Sequence, residues 1–197
     1  MRALDPLRRD ALSGAIPSPD IYFVVLFAGP DFFADPRTHD ATRGLVARQV
    51  PWMRAISDST DIHKAVAEAK STGATAIKLY AALNGELARR ITTEAHAQGL
   101  RVWAHAALNP AMPMDVVTAG VDAISHAPLL AMAMDSTHRQ AALRTPAGVP
   151  LAIKDAGLDA VLGEMVRRRT VFEPTLLVYG DNAARSRLGG AVTRLAH

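Results

Sequence analysis

No cysteine occurs among the 197 residues. That excludes disulfides, thiolate zinc sites and a thiol nucleophile, while leaving the compartment open. Long apolar runs are also lacking: the longest, residues 21–29, falls far short of the roughly 20 residues that span a bilayer. No membrane partner is therefore expected. Met1 opens no charged n-region followed by an apolar h-region, so the default expectation is a cytoplasmic protein. Aromatic residues make up only 5% and none interleaves with the one basic cluster, Arg167-Arg168-Arg169. That cluster closes a predicted helix, where cations suit the helix dipole, and no nucleic-acid partner is expected. Glycine-rich phosphate loops, a G-x-S-x-G elbow and an H-E-x-x-H helix are all missing, which removes the common nucleotide, serine-hydrolase and helix-borne zinc signatures.

What is present suits one domain over residues 1–197: 49% hydrophobic and 21% charged residues, enough for a real core. Residues 4–13 read as a helix with Asp5 at its N-cap and Pro6 in its first turn. The run IYFVVLF at 21–27 is polar on neither face and reads as a strand buried on both sides. Residues 29–57 read as an irregular loop with lid character, packed by Phe32, Phe33 and Trp52. Helices are expected at 61–72, 84–98, 112–119 and 158–169, a helix-like piece within 128–144, and a turn at 145–150. Strands are expected at 74–80, 100–106, 121–127 and 170–179, with Pro174 marking a kink. An unfinished helix fills 181–197. The alternation implies an α/β fold with a parallel sheet of five strands, either open and doubly wound or part of a barrel.

Residues 73–128 organise the chain. Three apolar runs, each following a helix-stopping glycine (Gly73, Gly99, Gly120), carry Lys78, His105 and His126 near their C-terminal ends. Parallel strands bring such ends to one rim, where the three side chains can converge. VWAHA and AISHA place the two histidines in the same register, able to present imidazole nitrogens to one Zn²⁺. His63 and His96 read as structural, as do His39 and His138, and His197 is uninformative. Lys78 is the sole charge between Ala74 and Leu83. A buried ammonium escapes its desolvation cost through a shifted pKa, a partner, or carboxylation to a carbamate able to bridge two metals. The plainer reading is a lysine snorkelling to the rim.

The stretches GATAIKLYAAL, AHAQGLRVWAHAA, AGVDAISHAP and PTL resemble the amidohydrolase superfamily, in its imidazolonepropionase-like and Xaa-Pro or Xaa-Arg dipeptidase-like branch. The resemblance is specific over residues 60–128 and looser over 1–30 and 155–180. It implies a (β/α)8 barrel with one or two divalent ions, Zn²⁺ foremost, at the C-terminal rim. It makes Lys78 the strand-4 lysine, carboxylated in the two-metal form, with His105 and His126 the strand-5 and strand-6 ligands. Tyr80 would hold a substrate carbonyl. IYFVVLF becomes strand 3 and TVFEPTLLVY strand 7. The family's strand-1 His-x-His pair and strand-8 aspartate have no counterpart here. The expectation is an internal fragment: a partial barrel of roughly strands 3 to 7, with strands 1, 2 and 8 missing, and any leader lying upstream.

The function implied is metal-dependent hydrolysis of a small-molecule amide or dipeptide C–N bond, by a fragment inactive alone and prone to self-association through open barrel edges. The alternative is a non-catalytic α/β module that binds a ligand or completes a barrel.

Overall fold

The computed structural model describes residues 4–42, 44–144 and 154–177. The expected turn at 145–150, the last residues of the expected strand 170–179 and the helix at 181–197 lie outside them. In chain order the elements are α1 (Leu4–Leu12), β1 (Val24–Ala28), a 3-10 turn (Pro30–Ala34), α2 (Arg37–Thr42), β2 (Gln49–Val50) and β3 (Met53–Ala55). Then come α3 (Ile62–Ser71), β4 (Ala76–Leu79), α4 (Gly85–Ala97), β5 (Arg101–His105), α5 (Pro113–Thr118), β6 (Ala123–Ser125) and α6 (Ala127–Leu130). A second 3-10 turn (Ala131–Ala133), α7 (Ser136–Arg144), α8 (Ala156–Arg168) and β7 (Val171–Glu173) complete the order.

The strands form one sheet in the order β2-β3-β1-β4-β5-β6-β7. Every neighbouring pair is parallel except β2 with β3. Among the described residues the sheet does not close, so the architecture is α/β, an open arc of a (β/α)8-type barrel. Asp61, Asn84 and Asp155 accept the backbone N–H three residues ahead and start α3, α4 and α8. Gly73, Gly99 and Gly120 follow α3, α4 and α5 at φ 80°, 80° and 86°, a region closed to most L residues.

The fold departs from expectation first in its strand count, seven strands with one antiparallel pair where five parallel ones are expected. The 29–57 segment is not irregular: it holds α2, β2 and β3, and β3 pairs with the edge of β1 opposite β4. Strands of two and three residues are too short to show a period. Nor is IYFVVLF buried on both sides. Tyr22 and Val24 are 68% and 37% exposed, whereas Phe23, Val25 and Phe27 are buried. Among the described residues, the α-helices packed on the main core lie against one face, while Phe33 and Ala47 pack on Leu26 and Tyr80 of the other. On the main core's face Val25, Phe27, Ile77, Leu79, Val102, Ala104 and Ile124 are fully buried with Val66, Ile91 and Val116. A fully buried Leu, Ile, Val or Phe contributes about 1.5–3 kcal/mol. The other face carries, in one row across the sheet, Leu26, Lys78, Trp103, Ala123 and Val171.

Candidate metal centre

Cross-strand register ranks the rim residues by depth. Lys78 stands opposite Trp103, while His105, two residues further along β5, stands opposite Ser125, and Ser125 stands opposite Glu173. Lys78 is therefore one layer below His105. The two histidines are not in the same register, because Ser125 rather than His126 pairs with His105. A shift of one residue would ordinarily turn a strand side chain to the opposite face. His126 avoids that by leaving the strand: its φ is 79°, and it precedes α6. Its backbone N–H donates to the Glu173 carbonyl at 3.0 Å, and that of Ala127 donates to Pro174 at 3.1 Å, tying the β6 and β7 loops together.

The turn brings the imidazoles of His105 and His126 edge to face, with ring centroids 4.5 Å apart. The Tyr80 ring lies 4.1 Å from that of His105, and Phe32 lies 4.7 Å from Tyr80. Lys78 Nζ donates to Ser125 Oγ at 2.8 Å and lies 5.0 Å from the centre of the Trp103 ring. Lys78, His105 and His126 thus gather on one rim, with Tyr80 beside them.

Gly29 seats the first wall of this rim. Its N–H donates to the Ala81 carbonyl at 2.9 Å. A Cβ at Gly29 would lie 1.8 Å from the carbonyl oxygen of Ala82, so the β1 and β4 loops touch only because no side chain intervenes.

Burial leaves the two imidazoles poor in protons and weakens the hold of Lys78 on its own. Burial pushes His105 down to about 3, and the nearby charges of Lys78 and His126 add to the effect. Burial, with Lys78 again, lowers His126, against the pull of Glu173. Lys78 falls to about 8 through burial, with Glu173 opposing. Neutral imidazole is the form that binds a metal.

Sequence reasoning missed three residues here. Ser125, buried, receives the lysine. Glu173 accepts from Thr175 N–H through Oε1 and lies 2.7 Å from the Thr175 hydroxyl through Oε2. Thr175 Oγ1 in turn lies 2.8 Å from His126 Nδ1. The kink at Pro174 hinted at a special strand end; nothing local marked its target.

His63 and His96 meet Glu94 at 2.9 Å and Asp122 at 2.8 Å. His138 has a more specific setting than the sequence suggests. Its Nδ1 lies 2.7 Å from Asp135 and 2.8 Å from Asp155, and the three residues hold ligand atoms within 4.8 Å of one another, a grouping that could hold a metal ion. The Asp155 carboxylate also accepts from Leu158 N–H and Asp135 N–H, so it caps α8 and holds the preceding turn. Arg167 and Arg168 pair with Glu164, and Arg169 closes α8 in the left-handed conformation.

No family model matches the chain, and no curated protein sequence matches it. Solved structures do. A Xaa-Pro dipeptidase with bound methionine in its active site superposes with a TM-score of 0.60 at 20% identity, over 92% of this chain and 41% of that one. An ochratoxinase from A. niger superposes with a TM-score of 0.50 at 13% identity, over 85% of this chain and 48% of that one. The chain therefore shares their fold and spans less than half the length of either. Among the described residues, no helix is long and apolar enough to cross a membrane.

Proposed function

We propose that residues 1–197 are one incomplete barrel domain whose rim holds one or two divalent cations, zinc by donor type, for hydrolysis of an amide or dipeptide C–N bond. The observation that carries this reading is the convergence of Lys78, His105 and His126, with the two imidazoles 4.5 Å apart and held neutral by burial. His105 and His126 would hold the metal. Lys78 would join them as the carbamate, since a lysine lowered to about 8 has appreciable free amine to react with CO₂ at neutral pH. The metal, when bound, would supply an activated water and polarise the scissile carbonyl. Tyr80, whose ring lies 4.1 Å from that of His105, would orient a substrate carbonyl.

Both solved neighbours bear the names of enzymes, a dipeptidase and an ochratoxinase, which supports a small-molecule or dipeptide substrate. The chain has no His-x-His and no counterpart of the strand-8 aspartate, so we expect no turnover from it alone. The test is metal analysis of the purified chain and of His105→Ala. Stoichiometric zinc in the parent and its loss in the variant support the reading; equal metal content in both sinks it.

A second reading, a barrel-completing module, draws on the face away from the helices. There Trp103 and Val171 are 36% and 60% exposed, an apolar surface suited to another polypeptide. Native mass measured with and without the neighbouring gene products separates the two readings.

A further inference from the structure

Two residues in unusual backbone conformations meet at this rim. His126 has φ 79° and Thr175 has φ 56°, neither is glycine, and their side chains lie 2.8 Å apart. Such strain persists only where surrounding contacts hold it, and it concentrates at functional sites. The contacts here are specific. Thr175 Oγ1 is 2.7 Å from Glu173 Oε2, and the same carboxylate accepts from the Thr175 backbone N–H at 2.7 Å through Oε1. The Glu173–Thr175 unit is thus rigid at both oxygens.

The direction of each hydrogen bond follows from chemistry. An ionised carboxylate has only acceptors, so the threonine hydroxyl must give its one hydrogen to Glu173. Without that hydrogen, two oxygens 2.7 Å apart would repel. The hydroxyl can then meet His126 only as an acceptor, and the hydrogen between them belongs to Nδ1. A neutral imidazole protonated at Nδ1 carries its lone pair on Nε2.

We propose that Glu173 and Thr175 are positioning residues that fix His126 in the Nδ1–H tautomer and so choose Nε2 as the nitrogen presented to a cation. The tautomer assignment follows from the Glu173–Thr175–His126 hydrogen bonds with Glu173 ionised; its use by a metal rests on the function proposed above. Carboxylates commonly orient metal-binding histidines by direct contact; here a hydroxyl is interposed.

Ring ¹⁵N NMR of the metal-free, full-length chain with labelled histidine tests this at neutral pH. For the parent we expect a pyrrole-type Nδ1 and a pyridine-type Nε2 at His126. Thr175→Ser should keep that pattern, and Thr175→Val should lose it. Glu173→Gln should invert it, because the amide nitrogen at the Oε2 position would donate to the hydroxyl and turn the hydroxyl's hydrogen toward Nδ1. A parent with Nε2–H, or a Glu173→Gln variant that keeps the parent pattern, overturns the proposal. The remaining histidine signals report whether each variant is folded, and if Thr175→Val unfolds, the parent and Glu173→Gln spectra decide. Zinc competition titrations complete the test, with Thr175→Val expected to bind about 10–100-fold more weakly and Thr175→Ser close to the parent. Equal zinc affinity in Thr175→Val and the parent overturns the positioning role. A parent with the expected tautomer but no zinc binding sinks the metal reading and leaves the tautomer assignment standing.

Discussion

Lys78 of β4 donates to Ser125 of β6 at 2.8 Å, reaching across β5 instead of finding an acceptor on it. The side chain passes Trp103, whose ring centre is 5.0 Å from Nζ. A buried hydroxyl and an aromatic face are mild partners for an ammonium, and they compensate only part of its desolvation. That is why the lysine stays well below its ordinary value, at about 8.

Replacing Ser125 by Ala removes the acceptor and leaves that ammonium with less support. Lys78 is then expected to titrate below about 8, followed through its ε-carbon by NMR. An unchanged or higher value would show that the hydroxyl does not support the ammonium.

Zinc should stabilise the folded chain by mass action. At about 100 times its Kd, a ligand of the native state alone contributes about 2.7 kcal/mol. The urea midpoint of the parent is expected to rise accordingly with zinc, and that of His105→Ala to remain where it was.

Acid should weaken the metal-free chain through His105. Its folded value, about 3, lies below the ordinary 6.5, so the unfolded state binds the proton first. The stabilisation is complete above about 6.5 and is lost as pH falls toward about 3. His138 works in the opposite sense, raised by its hydrogen bond to Asp155: its contribution is complete below 6.5 and fades as pH rises through its folded value. Urea midpoints should therefore fall less steeply between about pH 6.5 and 5 in His105→Phe than in the parent, while His126 and the paired carboxylates keep an acid slope in both; His138→Phe should fall at least as steeply as the parent.

Gly29→Ala should disturb the rim without touching a site residue. The added methyl would meet Ala82's carbonyl oxygen at 1.8 Å, and overpacking of this kind costs roughly 1–3 kcal/mol. Urea denaturation measures the loss, and because Gly29 has φ −66° that loss reports the clash and not backbone strain.

The exposed face bearing Trp103 and Val171 should make the purified chain associate. Sedimentation velocity is expected to show a mass that grows with concentration beyond the 21.0 kDa monomer. Val171→Lys should shift it back, and a parent that stays monomeric throughout would argue against an unpartnered face.

Much was fixed locally. The caps at Asp61 and Asn84, the stops at Gly73 and Gly99, and the apolar runs around Lys78 and His105 each act within a few residues, so sequence alone determined the α/β alternation and the rim positions of Lys78 and His105. The short strand β3 forms on hydrogen bonds from the edge of β1, and β2 on those from β3. The register of His126 was decided by a left-handed turn that no spacing rule encodes. Ser125, Glu173 and Thr175 acquire their roles from residues 47 to 49 positions away in the chain, such as Lys78 for Ser125 and His126 for Thr175. Contacts of that range belong to the folded sheet, which alone brings a hydroxyl within hydrogen-bond reach of an amine or an imidazole.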